Sequence, residues 1–259
     1  KGMAAGAFVY VVNYEADFLD ETMDLFYDHD VIVTNSSYSN GCNAGYTAIT
    51  ETVDQQLYNN PTLMHVFSAG NSNNNDCDYG AGNQWGNITG GHKMAKNCLT
   101  TANVYADAEL VPSSSRGPAF DGRTKPDIAA HGQGQWSTDE NNLYMEFGGT
   151  SAAAPCIAGV MAQLHQAYRE LNAGEVAEAA LLKTILLNNA NDMGNRGPDF
   201  KFGWGLVNAY RAVLALEEHR YLKSSVSPGS NAQHILSIPQ GVKEARFMVY
   251  WMDPEATPM

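Results

Sequence analysis

The stretch Phe147–Gly159, "FGGTSAAAPCIAG", decides how the rest of the chain is read. Ser151 follows two glycines and a threonine, and three alanines and a proline come after it. A run of small residues leading into Ile157, Val160, Met161 and Leu164 at helical spacing puts the serine at a helix N-terminus. Free backbone N–H groups and the positive end of the helix dipole gather there, and both favour an oxyanion. Gly148 and Gly149 let another backbone come close, and Pro155 is read as an early helical position where proline is tolerated. On this pattern alone Ser151 reads as a nucleophile or as an ordinary N-cap, the commoner use of a serine at that place.

Upstream, short apolar runs alternate with amphipathic ones. Phe8–Val12 reads as a buried strand, and Phe18, Leu19, Met23 and Phe26 as a helix face. Val31–Val33 is the next strand; Tyr46, Ile49, Val53 and Leu57 mark a helix; Leu63–Ser68 and Cys98–Val104 are further strands. After the serine helix, Ala177, Ala180, Leu181 and Thr184 mark another. Strands alternating with helices predict βαβ units, a mostly parallel sheet between helical layers, and working groups at the strand ends. From Tyr221 the pattern changes to short alternating runs ("HILSIP", "ARFMVYW") set off by Pro and Gly, which predicts a β segment and a boundary near residue 220.

The strand 63–68 runs into "FSAGNSNNN", so Asn71 lies just past a strand end, where its amide can aim at the point the serine helix faces. A turn-forming Asn reads the same way. Taken together, "GTSAAAP", "FSAGN" and "SSSRGP…KPDIAAHG" resemble the subtilisin-like serine proteases, the subtilase family, over roughly residues 1–218. "GMAAGA", "VIVTNSSYS" and "GPDFKFGWGLVNA" are similar to further segments of that family.

The resemblance implies a three-layer αβα fold. Residues 1–220 would be the C-terminal part of a catalytic domain, and 221–259 the beginning of a β-sandwich domain. It implies Ser151 as nucleophile and Asn71 as oxyanion donor. Ser37, Tyr38 and Ser39 on one side, and Ser68, Ala69 and Gly70 on the other, would wall the primary specificity pocket. It implies protein or peptide substrates, no cofactor for the chemistry and a secreted or extracellular setting. Structural calcium is a further family-level expectation, for which "NSNNNDCDYG" offers oxygens but no defined ligand set.

The family orders its triad Asp, His, Ser, and neither of the first two motifs occurs here. His165 lies on the serine's own helix, fourteen residues on, about 21 Å away at 1.5 Å per residue. His65 lies six residues before Asn71 in an extended strand, roughly 20 Å away. His29 precedes a strand and so sits at the wrong edge; His131 occupies a position without a catalytic role in the family; His219 and His234 lie at or beyond the boundary. Only His92, in "TGGHK", escapes these arguments. Neither end of the sequence reads as a natural terminus, so the chain is read as a fragment whose base lies upstream, inert by itself. Two rival readings are a non-catalytic relative and an esterase, although Gly149–Ala153 lacks the second glycine of a G-x-S-x-G elbow.

Asp and Glu total 28 against 15 Lys and Arg, a net charge of −13, which disfavours nucleic acid and anionic membranes as partners. No run reaches the roughly 20 apolar residues of a membrane helix. Four cysteines allow three two-disulfide pairings, or fewer bonds. Cys42 and Cys77 both follow consecutive strands and are the expected pair, which would indicate an oxidising compartment; Cys98 and Cys156 read as buried thiols.

Overall fold

The computed structural model describes residues 2–12, 18–42 and 45–258. Four parallel strands form the central sheet in the order β1 (Val33–Ser36), β2 (Met64–Ser68), β3 (Leu99–Val104), β4 (Ile128–His131). Helices α1 (Phe18–His29) and α2 (Ala48–Asn59) cover one face. The other face carries α3 (Thr150–Leu171), backed by α4 (Ala179–Asn188) and α5 (Ala209–Glu217). The three-layer αβα arrangement is as expected. No described helix is long and apolar enough to cross a membrane.

Strand β2 shows why the layers form. All five of its residues are buried, and alternate side chains leave on opposite faces. Met64 and Val66 join Leu99, Ile128 and Ala130 beneath Ile157, Met161 and Leu164 of α3. Leu63 and Phe67 face the other way, against Leu19, Val53 and Leu57. Because α3 spans all four strands, its first turn is delivered to the sheet's C-terminal edge.

At the opposite edge, Asp127 just before β4 collects buried charge. Its Oδ2 accepts from Lys125 Nζ at 2.6 Å and from the Thr100 N–H at 2.7 Å, and Lys183 Nζ lies 3.9 Å from Oδ1. Lys183 also donates to the carbonyls of Lys96 (3.0 Å) and Cys98 (2.8 Å). These contacts explain "KPDIAAHG": the carboxylate anchors β3 and β4 together while its own charge stays compensated.

Several expectations need correction. Phe8–Val12 is not a buried strand; it is unpaired, and Phe8 is 96 % exposed. An apolar run becomes a strand only beside a partner that takes its hydrogen bonds, and among the described residues β1 pairs with β2 alone. Residues 221–258 hold no strand: the alternating runs read as a β segment have no second strand to pair with among the described residues. They pack instead on the αβα unit: Asn97 Nδ2 donates to the Asp253 carbonyl at 2.8 Å, and the Asp253 N–H to Asn97 Oδ1 at 3.1 Å. Pro155 lies deeper in α3 than expected, at its sixth residue. An antiparallel hairpin, β5 (Gln135–Thr138) with β6 (Tyr144–Phe147), precedes α3, and no apolar alternation in the sequence announces it.

Cys42 and Cys77 are joined, with Cα atoms 5.7 Å apart; Cys98 is buried and free, and Cys156 is free and half-buried. The bridge closes a loop between residues 35 apart, worth about 4 kcal/mol in the chain-entropy account. Denaturant unfolding with and without a thiol reductant should therefore give clearly separated midpoints, and coincident curves would show that the bridge carries no stability.

Three histidines are buried as neutral rings. Burial lowers His65 and His165 to about 4 and His92 to about 3, with Lys93 adding to the shift of His92. Between pH 6.5 and 4 the unfolded chain binds protons that the folded one refuses, so stability falls as the pH drops through that window. His165, in α3, forms no hydrogen bond among the described residues. The substitution His165→Leu should make the pH dependence of urea unfolding shallower between pH 6.5 and 4, with His65 and His92 keeping the remainder, and leave it unchanged above pH 7; an unaltered slope would contradict the assignment.

Candidate active site

The site is assembled where β1 and β2 end and α3 begins. Gly149 is the N-cap of α3 with φ +93°, a backbone shape that favours glycine. A Cβ there would also stand 3.0 Å from Asn71 Nδ2. Asn71 is oriented from α3: its Oδ1 accepts from the Thr150 N–H at 2.9 Å and from Thr150 Oγ1 at 3.1 Å. With the oxygen committed, the amide N–H groups have no acceptor among the described residues, and the side chain is exposed. Thr150 Oγ1 in turn accepts the Gly70 N–H at 3.0 Å, which ties the end of β2 to the same helical turn.

Ser151 is held from the other side. Pro155 has no N–H, so the Ser151 carbonyl loses its intrahelical donor. Ser37 replaces it: Ser37 Oγ donates to the Ser151 carbonyl at 3.0 Å, while Ser151 Oγ donates to the Ser37 carbonyl at 3.1 Å. Asn35 Nδ2 donates to Ser37 Oγ at 3.1 Å. One segment after β1 and one after β2 therefore grip consecutive residues of α3, Ser151 and Thr150.

Ser37 and the segment Ser68–Gly70 thus flank the start of α3. Ser68, Ala69 and Gly70 are buried. Gly70 has φ +109°, and a Cβ on it would meet Thr89 Oγ1 at 2.3 Å. Tyr38 is half-buried with its ring 5.2 Å from that of His92, while Ser39 is exposed. Sequence reasoning missed Thr150, which links Asn71 and Gly70; the threonine of "GTS" was the available signal.

No histidine bonds Ser151. All seven lie among the described residues, and Ser151 Oγ has the Ser37 carbonyl as its partner. His92 is fully buried with its ring 4.8 Å from that of Phe67, on the α2 side of the sheet. His65 shares hydrogen bonds with Thr34 Oγ1 (2.6 Å) and Gln56 Oε1 (3.1 Å). His131 Nε2 bonds the Gln133 carbonyl at 2.9 Å.

Several oxygens of the Asn-rich loop are engaged within the chain. The Asn87 amide occupies the carbonyls of Asn73 and Asn75, both at 3.1 Å, and Asp76 Oδ1 accepts the Asp78 N–H at 3.0 Å. No group of three His, Cys, Asp or Glu suited to a metal occurs among the described residues.

The chain is similar to several known proteins. Over 138 residues the chain is 34 % identical to a PII-type proteinase of Lactococcus lactis subsp. cremoris, covering 47 % of this chain and 7 % of that protein. Over 139 residues it is 36 % identical to a C5a peptidase of Streptococcus pyogenes serotype M18 (strain MGAS8232), covering 47 % and 12 % respectively. The chain thus spans a small part of these relatives' length. Among solved structures, the self-cleaved protease domain of PatA matches with TM-score 0.62 at 17 % identity, over 78 % of this chain and 68 % of that one. The PatG macrocyclase in complex with peptide matches with TM-score 0.60 at 19 % identity, over 79 % and 57 %. These two show a shared fold. The family model of the subtilases matches residues 1–205, and the chain belongs to the subtilase family.

Proposed function

We propose that this chain is the nucleophile-bearing part of a serine endopeptidase acting on proteins or peptides. The observation that carries the reading is the common anchoring of Ser151 and Asn71 on the first turn of α3, with the Asn71 amide left unengaged. Ser151 Oγ would attack the scissile carbonyl while a base takes its proton. The negative oxygen would be met by Asn71 Nδ2 and the Ser151 N–H. Collapse expels the amine, which takes the proton, and leaves an acyl-serine ester; water, deprotonated by the same base, then releases the acid and restores the hydroxyl. Ser37–Ser39 and Ser68–Gly70 would hold the acyl-side residue between them.

No histidine of this chain suits the role of base, so the base and its orienting carboxylate are assigned to the parent chain before Lys1. This segment alone should be inert. An extracellular setting is part of the proposal, supported by the cystine and by the low positive charge.

In the full-length protein, Ser151→Ala should abolish peptide hydrolysis and labelling by a serine-reactive phosphonate. Asn71→Ala should still be labelled but turn over about 10²–10³-fold more slowly, as for a lost oxyanion donor. Labelling that survives Ser151→Ala, or brisk proteolysis by residues 1–259 alone, would sink the assignment.

Ser37 gives a separate test, because its hydroxyl is engaged with the Ser151 carbonyl, leaving the pocket wall to its backbone. Ser37→Ala should strand the Ser151 carbonyl, cost roughly 1 kcal/mol of stability and lower kcat more than it raises KM, whereas Ser37→Thr should recover much of both. Equal behaviour of the two variants would contradict the positioning role.

A further inference from the structure

Beyond Asn71 the chain enters a cavity of about 520 Å³ lined by Asn73, Asn74, Gln84, Pro112, Ser113 and Arg116. Two ties bring these loops beside the candidate site. The Ser72 N–H donates to Ser115 Oγ at 3.0 Å, and the Asn73 N–H to the Ser113 carbonyl at 3.2 Å. Asn73 is two residues from Asn71, a reach of at most about 7 Å. In chain order come the pocket wall (68–70), the oxyanion donor (71) and then this cavity. The cavity therefore adjoins the oxyanion position, within reach of a substrate chain held there.

Apart from Pro112 the lining is polar, with one cation. In a chain of net charge −13, Arg116 forms no ion pair among the described residues, and its buried Nε has no hydrogen-bond partner. The guanidinium is held in place by Trp85, 5.5 Å from the ring centroid, and Lys201 approaches the same ring at 5.8 Å. Asn73 is 4 % exposed, and its Oδ1 lacks a donor. Gln84 holds φ +71°, a costly shape for a non-glycine residue. A positioned, unneutralised guanidinium at a cavity mouth matches a planar carboxylate.

Resting on the peptidase reading above, we propose that this cavity is a leaving-group-side subsite that takes a substrate carboxylate, with Arg116 as its counter-ion. The carboxylate can come from an Asp or Glu side chain within the first three residues after the scissile bond, or from a peptide C-terminus at that distance.

The test uses the full-length protein and matched internally quenched peptides. One amidated set carries Glu, Gln or Lys at each of those three positions in turn, and a second set ends there in a free carboxylate or an amide. The native chain should prefer Glu to Gln by about tenfold or more in kcat/KM at one position; preference confined to the second set would identify the C-terminus as the source. Arg116→Met should bring the ratio to near one, Arg116→Lys should keep part of it, and Ser113→Asp should turn the preference toward Lys. Ratios within each variant are unaffected by general losses of active protein. Phosphonate labelling with peptide cleavage but no carboxylate preference, or a preference that survives Arg116→Met, overturns the subsite while leaving the peptidase reading intact. Absence of both labelling and cleavage overturns the two together.

Discussion

A proline without an N–H and a serine that answers for it hold this structure's business end together. Pro155 leaves the Ser151 carbonyl without its helical donor, and Ser37 reaches across from the end of β1 to supply one. From that exchange follow the presentation of the Ser151 hydroxyl and the contact between the β1 loop and the helix, while the packing beneath α3 places it over the sheet. Thr150 does the same for the β2 loop through Gly70 and Asn71. Two neighbouring helical residues thus hold the loops that follow two adjacent strands, and a small-residue sequence is what allows the approach.

The energetic logic divides the sheet into two ends with different demands. The Asp127 end holds charges that compensate one another: Lys125, Lys183 and a backbone N–H converge on one carboxylate, so burial is tolerable. The Ser151 end leaves donors uncommitted, notably the Asn71 amide and the Arg116 guanidinium. A fold that satisfies its polar groups at one edge and withholds satisfaction at the other has concentrated its capacity to bind at the second.

Much of this was legible in the chain, for reasons that differ by element. β2 and β3, and α1 to α4, announce themselves because apolar spacing reports burial directly, whereas β1, Val33–Ser36, starts only at the last residue of the apolar run Val31–Val33, because pairing with β2 sets its bounds. β4, "IAAH", is short and mostly alanine, a composition with little strand character, and pairing with β3 is what makes it a strand. The β5–β6 hairpin is largely exposed, with Trp136 74 % and Tyr144 69 % accessible, so burial periodicity has nothing to report. Phe8–Val12 shows the converse: apolar composition cannot say whether a neighbouring strand is present. At the site, Ser151 and Asn71 stand out through motifs. The roles of Ser37 and Thr150 depend on which strand end meets which helical turn, and that is settled by tertiary packing.

The cystine has a consequence for the lifetime of such a molecule. Cys42 follows Ser37 by five residues and Cys77 follows Asn71 by six, so the bond staples together the two loops that lead away from the candidate cleft. Loops on a protein surface are where chains are cut, because cutting requires several residues to leave the fold and lie extended in another enzyme's groove. A loop pinned at its tip has less slack to do so. For a protease at high local concentration the nearest groove belongs to its own copies, and a covalent pin beside its cleft would then act as protection against self-digestion.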